Sequence, residues 1–197
     1  MKNHKISIVI IIVLFLSGCI PSLHPLYFKQ DRITLDILEG KWLSESNDTW
    51  EFKKVENEPS YILKYTESKH EGEQKPQPSI AFFDANLIKL EGNYFMDLYP
   101  GDNAQLDDMT NLLLVHLVPA HTFLKLKIEN NQLQIYQMNP DWLDNLFKEN
   151  KIRISHEVVD DDKIVLTAST KELQKFISKY AEDENAFHKP ELLTAIK

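Results

Sequence analysis

Two histidines, His116 and His121, are the side chains whose type and proximity in the chain suggest metal binding or acid–base chemistry. They are five residues apart, so in an unbroken strand their rings would point to opposite faces of a sheet. Pro119 lies between them, and only a kink there would bring both rings to one side. No carboxylate adjoins them in the sequence to complete a ligand set. We therefore expect structural histidines rather than a metal site, and we expect no cofactor.

Acidic residues are abundant, but their spacing indicates no particular reaction. Four aspartates lie close together without the register of a calcium-binding loop: Asp97, Asp102, Asp107 and Asp108. The five glycines are scattered, and the sequence contains no phosphate-binding loop, no G-x-S-x-G and no H-E-x-x-H. A pair of carboxylates for glycoside hydrolysis depends on distance in space, which the sequence leaves open. A non-enzymatic function is favoured, with a hydrolase that uses carboxylates and His121 as an alternative.

The only cysteine, Cys19, follows a short apolar segment at the start of the chain. Lys2 and Lys5 precede Ile6–Leu16, an 11-residue run that is apolar except at Ser7. A basic stretch followed by an apolar run of this length is the layout of a secretory signal. At a rise of about 1.5 Å per residue, the run covers only half of a hydrocarbon core of about 30 Å. It therefore predicts an export signal rather than a permanent transmembrane helix.

The residues Leu16-Ser17-Gly18-Cys19 resemble the lipobox of bacterial lipoproteins. The resemblance implies that residues 1–18 are a signal peptide, which signal peptidase II removes by cutting before Cys19. It also implies that the Cys19 sulfur carries a diacylglycerol and that the new amino terminus is acylated. Two chains anchor a protein stably, because each buried CH₂ contributes about 0.8 kcal/mol. The predicted location is the cell envelope; because no Asp follows Cys19, the sorting rule of enteric lipoproteins implies the outer membrane where the host has two.

The composition of the rest of the chain predicts a folded domain without disulfides. Hydrophobic residues make up 43% of the sequence, enough for a globular core. Removal of residues 1–18, which hold two lysines and no acidic residue, changes the net charge from −8 to −10. Such an acidic domain is a poor partner for nucleic acid. Once Cys19 is lipidated, no thiol remains for a disulfide, a cysteine zinc site or a nucleophile.

The patterns along the chain predict one β-rich domain behind a short tether, the apolar second half of which is expected to pack on the domain. Residues 19–31 are predicted as the lipidated tether, 32–188 as the domain and 189–197 as a weakly patterned tail. Alternating apolar positions, as in 123–129, predict about seven to eight strands joined largely by hairpins. The predicted fold is mostly β (α+β), with an antiparallel, curled or barrel-like sheet, a late inserted helix and a C-terminal helix.

Three segments inside the domain carry specific local predictions. Asn139 followed by proline predicts the start of the inserted helix, with the asparagine as its cap. Ser169 and Glu172 have the spacing of a capping box and predict the start of the C-terminal helix. The nearly all-apolar run 112–118 predicts a strand buried on both faces.

The motif Gly40-Lys41-Trp42 follows a short helical turn and precedes an antiparallel series, which resembles the glycine-x-tryptophan motif of lipocalins. In that family the tryptophan closes one end of a barrel that holds a small apolar ligand. The inserted helix departs from the simple eight-strand lipocalin meander. Four further segments resemble a group of uncharacterised bacterial lipoproteins, a likeness that implies no activity: 49–52, 119–123, 140–143 and 167–170.

These resemblances, together with the many aromatic residues on predicted strands, suggest a pocket. The candidate site residues are Trp42, Trp50, His116 and His121, with Cys19 as the lipid attachment site. Ordinary core packing is the favoured interpretation of these aromatic residues, and a pocket lined for an apolar ligand is the alternative. The favoured function is a lipid-anchored binding or accessory module for a small apolar ligand or an envelope protein. A hydrolase and a structural or assembly lipoprotein are the alternatives.

Overall fold

The computed structural model describes residues 19–68, 79–101, 117–129, 131–160 and 163–196. The strands are β1 (Arg32–Ile33), β2 (Gly40–Ser44), β3 (Thr49–Lys54), β4 (Tyr61–Glu67), β5 (Ser79–Leu90), β6 (Asn93–Pro100), β7 (Thr122–Glu129), β8 (Gln132–Gln137), β9 (His156–Val159), β10 (Lys163–Leu166) and β11 (Glu191–Ile196). The helices are α1 (Pro140–Lys148) and α2 (Thr170–Tyr180), and two 3₁₀ turns cover Lys29–Asp31 and Asp36–Leu38.

Eight of these strands form a closed antiparallel barrel. Their order is β5-β4-β3-β2-β11-β8-β7-β6, and β6 pairs with β5 to close the ring. The two-residue β1 adds to β5 as an extra strand, while β9 and β10 form a separate hairpin. The prediction of a mostly β fold with a barrel-like antiparallel sheet and two helices is confirmed.

The strand β11 lies within residues 189–197, so the prediction of a weakly patterned tail outside the domain is wrong there. It pairs with β2 on one side and β8 on the other, so it completes the ring. Only Leu193 is fully buried in it, and the neighbouring residues are half-buried or exposed. Such a strand is stabilised by its pairing with strands distant in the chain rather than by alternation of its own apolar residues. The sequence of residues 191–196 alone therefore does not predict it.

Side chains from alternate positions of every barrel strand fill the barrel interior. One cluster of buried residues contains them: Leu38, Trp42, Trp50, Phe52, Tyr61, Leu63, Ala85, Leu87, Met96, Leu98, Leu124, Leu126, Leu133, Ile135 and Leu193. Successive side chains of a strand point to opposite faces, so one face of each strand lines the barrel interior. The part of the interior lined by these residues is a packed core.

The 3₁₀ turn that precedes β2 closes one end of the barrel. Leu38, at the end of this turn, is fully buried against the interior cluster. The Trp42 indole Nε1 donates a hydrogen bond to the Leu38 carbonyl at 3.0 Å. The Tyr61 hydroxyl accepts one from the Leu35 N–H at 2.6 Å and donates one to the Leu35 carbonyl at 3.0 Å. Two side chains of the barrel wall therefore hold the turn in place.

A second buried cluster lies on the outer face of the barrel. Ile88, Phe95 and Phe123, from β5, β6 and β7, contribute the barrel's share of this cluster. The other members come from the N-terminal segment, from α1 and α2 and from the region around β10: Ile20, Leu26, Met138, Leu143, Ile154, Ile164, Leu166, Ala168, Leu173, Phe176, Ile177 and Ala181. The helices and the N-terminal segment thus cover one side of the barrel.

Both helices begin where their caps predict. The Asn139 Oδ1 accepts hydrogen bonds from the backbone N–H groups of Asp141 and Trp142, at the start of α1. At the start of α2, the Glu172 carboxylate accepts a hydrogen bond from the Ser169 backbone N–H at 3.0 Å. The predicted strand 112–118 lies mostly outside the described residues, and its last two residues are exposed and belong to no strand.

Replacing Trp42 with phenylalanine should lower the free energy of unfolding by about 1–2 kcal/mol. The change removes the hydrogen bond to Leu38 and leaves part of the indole volume unfilled in the closed end. The half-buried Trp142 on α1 is the matched control, and we expect a smaller loss for Trp142→Phe. Equilibrium unfolding in guanidinium chloride measures both. Equal losses would mean that Trp42 has no special role in closing the barrel.

Candidate functional site

Backbone hydrogen bonds on two sides build the segment after Cys19 into the fold. Ser22 and His121 exchange a pair of them, at 2.9 Å and 2.8 Å, at the start of β7. On the other side, Leu166 of β10 donates to the Pro21 carbonyl and accepts from the Leu23 N–H. Residues 20, 22 and 26 are buried. The segment predicted as a tether therefore packs on the domain through residues 20, 22 and 26, in its first half as well as its second.

An aspartate and a histidine on the outer face of the barrel hold the same segment. The His121 Nδ1 lies 2.7 Å from the Asp97 Oδ1, and the Asp97 Oδ2 accepts a hydrogen bond from the Leu26 N–H at 2.7 Å. The Tyr99 ring packs against the His121 ring, with 4.5 Å between their centroids. We call Ile20–Leu26 together with Asp97 and His121 the N-terminal clamp.

Burial dominates the electrostatics of this clamp. Asp97 is fully buried, and the loss of hydration raises the pKa of its carboxyl above the usual value. The hydrogen bonds from His121 and Leu26 act in the opposite direction and offset part of that effect. A buried carboxylate without these partners would be strongly unfavourable, so Asp97, His121 and the N-terminal segment depend on one another.

The imidazole–carboxylate pair has the geometry by which a hydrolase orients its general base. Such an enzyme also needs a nucleophile at the imidazole and space for a substrate. The Ser22 hydroxyl, in the residue bridged to His121, instead donates to the His24 carbonyl at 2.8 Å. His121 itself is buried. In this arrangement the pair serves to position the N-terminal segment.

A small hollow adjoins the predicted lipid attachment site. Its cavity volume is only about 10 Å³, and its lining is mostly apolar: Cys19, Ile20, Phe123, Gln137, Met138 and Leu166. Cys19 is exposed at its edge. The cysteine therefore lies at the surface of the domain, directly against residues of the outer cluster.

The end of the barrel opposite Leu38 carries aromatic and acidic side chains. We call Ser44, Asp48, Trp50, Tyr65 and Glu191 the barrel mouth. The Asp48 Oδ2 accepts a hydrogen bond from the Tyr65 hydroxyl at 3.1 Å, and its Oδ1 accepts one from the Ser68 backbone N–H at 2.7 Å. Burial and the nearby Asp48 raise the pKa of Tyr65, so its hydroxyl stays protonated. Burial likewise raises the pKa of Glu191.

Trp50 is the side chain of the mouth that lacks a polar partner. It is only 8% exposed, and its indole N–H has no hydrogen-bond partner among the described residues. Its ring meets the Tyr65 ring edge-on, with 5.2 Å between centroids. Buried indole N–H groups usually find an acceptor. This one is covered by its neighbours, so a ligand oxygen would reach it only after those side chains move.

The candidate residues from the sequence do not form one site. Trp42 and Trp50 are direct cross-strand partners on β2 and β3 and both lie inside the barrel, whereas His121 lies on the outer face. His116 falls outside the described residues. Sequence reasoning missed the role of Asp97, although an aspartate within the apolar strand Asn93–Pro100 was a signal for a buried polar partner.

Comparisons with known proteins do not assign this chain to a family. No family model, curated protein or solved structure matches the sequence or the fold. Within the described ranges, no group of three or more His, Cys, Asp or Glu side chains is arranged to hold a metal ion. The helices in the same ranges are too short or too polar to cross a bilayer.

Proposed function

We propose that this protein is a lipid-anchored bacterial envelope protein that acts as a non-enzymatic binding module. In this proposal Cys19 carries the lipid, and the barrel mouth receives a small, mostly apolar ligand. The location is the cell envelope, and it is the outer membrane where the host has two membranes.

The anchoring part of the proposal rests on the lipobox and on the place of Cys19. The four lipobox residues end at Cys19, and Cys19 is exposed while the next residue is buried. An exposed cysteine at the first residue of the mature chain is accessible for acylation. Residues 20–26 pack on β7 and β10, so in the mature protein the lipidated cysteine would be followed directly by a folded segment.

The binding part rests on one observation, the unpaired indole N–H of Trp50 in an aromatic mouth. The closed end and the centre of the barrel are filled, so a ligand would bind at the mouth rather than deep inside. Tyr65 and the half-buried Phe83 add apolar surface there. The matching ligand is small and apolar, with one carbonyl or similar acceptor that takes the Trp50 hydrogen bond.

Native mass spectrometry of the protein, gently extracted from its own membranes, tests this ligand. We expect a bound species of small mass in the wild type and a several-fold lower occupancy in Trp50→Phe, which keeps an aromatic ring and removes the N–H. Trp142→Phe, on α1, is the matched control and should retain the ligand. A wild-type protein that is always free of ligand would refute binding at the mouth.

A hydrolase is the second candidate, favoured by the Asp97–His121 pair alone. It predicts that a serine-directed fluorophosphonate labels Ser22 and that His121→Asn abolishes the labelling. Because the Ser22 side chain is buried and donates to His24, we expect no labelling. A role as a structural or assembly lipoprotein would instead show as cross-links to envelope proteins in cells.

A further inference from the structure

Two uncharged segments lie side by side near the predicted anchor. Residues 20–23 read Ile-Pro-Ser-Leu and residues 117–120 read Leu-Val-Pro-Ala, in a chain in which 26% of residues are charged. Three apolar side chains in them are exposed: Leu23 by 45%, Leu117 by 46% and Val118 by 73%. We call these three residues the apolar face.

Backbone pairing brings the members of this face together. Ser22 and His121 form an antiparallel bridge. In an antiparallel pair, the residue after one partner lies beside the residue before the other, so Leu23 lies beside Ala120. Val118 precedes Ala120 by two residues in the same segment. The exposed Leu23 therefore lies near the segment 117–120, which leads into β7 and carries the exposed Leu117 and Val118.

The anchor lies close to this face and leaves the domain little freedom. Cys19 is four residues from Leu23, a separation that a fully extended chain covers in about 14 Å. Ile20 is buried and Ser22 is bonded on both sides, so no free linker separates the cysteine from the domain. A lipid on Cys19 therefore holds this part of the domain directly at the bilayer surface.

We infer that the apolar face rests on the bilayer in which Cys19 is anchored, so that Leu23, Leu117 and Val118 contact the lipid interface. This inference rests on the proposed lipid anchoring. The charge of the domain supports the same orientation, because a domain of net charge −10 is repelled by anionic lipid on most of its surface. An uncharged patch beside the anchor can contact the membrane without charge repulsion, and burial in the lipid interface stabilises its exposed apolar side chains.

The mature protein allows a direct test, because its natural cysteine is used by the lipid and an added cysteine is the only free thiol. We would label Val118→Cys with an environment-sensitive fluorophore and reconstitute the lipidated full protein into phosphatidylethanolamine–phosphatidylglycerol vesicles. The matched control is Ile37→Cys, since Ile37 is 52% exposed and lies on the turn at the closed end of the barrel. Neither substitution disturbs a buried side chain.

The expected result is a blue-shifted emission at position 118, quenched several-fold more strongly by nitroxide-labelled lipids than the emission at position 37. Flotation of the same vesicles reports the anchoring separately. If the protein floats and position 118 is as accessible to aqueous iodide as position 37, the membrane contact is refuted while the anchor stands. Protection from iodide without lipid quenching would mean that a protein covers the face, which also refutes it. If the protein does not float, the anchoring and this inference both fail.

Discussion

Replacing Cys19 with serine is expected to abolish lipid attachment completely. Serine cannot form the thioether, and the lipobox resemblance implies that cleavage before residue 19 requires the lipidated cysteine. The variant should therefore incorporate no labelled palmitate and should keep residues 1–18. Labelled palmitate in growing cells, followed by the mass of the purified protein, measures both effects.

The conservative change Ile20→Val is the control for this experiment. It alters the residue next to the cysteine but leaves the lipobox intact, so labelling and cleavage should continue. The folded domain should be unaffected by Cys19→Ser, because Cys19 is exposed at its surface. Palmitate labelling that persists in the serine variant would place the lipid elsewhere and contradict the assignment.

Replacing Asp97 with alanine is expected to lower the free energy of unfolding by about 2–4 kcal/mol, since each buried polar group left without a partner costs about 1–3 kcal/mol. The change leaves the His121 ring and the Leu26 N–H without their acceptor in a dry environment. It also loosens residues 20–28, so trypsin should cut after Lys29 faster than in the wild type. Chemical denaturation and a timed digest measure the two effects.

A double-mutant cycle shows whether Asp97 and His121 act as a unit. Each single substitution destabilises the protein mainly because it leaves the other side chain without a partner. The double variant Asp97→Ala/His121→Ala should therefore lose clearly less unfolding free energy than the sum of the two single losses. Additive losses would mean that the pair is not coupled and that the clamp is held by backbone hydrogen bonds alone.

The raised pKa of Asp97 also predicts a pH dependence. When folding raises the pKa of an acid, the folded protein binds its proton more tightly than the unfolded chain. The stability contributed by Asp97 is therefore fully present below the ordinary aspartate pKa of about 3.9 and declines as the pH rises through the raised value. Asp97→Asn does not titrate, so the stability difference between the wild type and this variant should fall over that window. A difference that grows with pH would contradict the burial effect.

Local patterns in the sequence were sufficient for much of the fold. Alternation along strands such as Thr122–Glu129 indicated the antiparallel sheet, and the caps at Asn139 and Ser169 marked the two helices. These signals are local because a strand's period and a helix's first turn are set by neighbouring residues. The short turn before Trp42 was also visible, and the hydrogen bond from Trp42 to Leu38 gives it a structural reason.

Features that depend on distant residues were not readable from the sequence. The strand β11 is stabilised by pairing with both β2 and β8, and the residues Glu191–Ile196 show no alternation that predicts a strand. The partner of His121 is Asp97, 24 residues away on the neighbouring strand, and the packing of the N-terminal segment depends on both. The unpaired N–H of Trp50 likewise became visible only when its surroundings were known.

The most direct test of the account is the mass of the amino-terminal tryptic peptide of the mature protein isolated from membranes. The account predicts a peptide from Cys19 to Lys29 that carries a diacylglycerol on sulfur and an acyl chain on its amino group. In the Cys19→Ser variant this modified peptide should be missing. An unmodified Cys19, or a mature chain that begins at another residue, would contradict the lipid anchor and, with it, the orientation inferred for the domain.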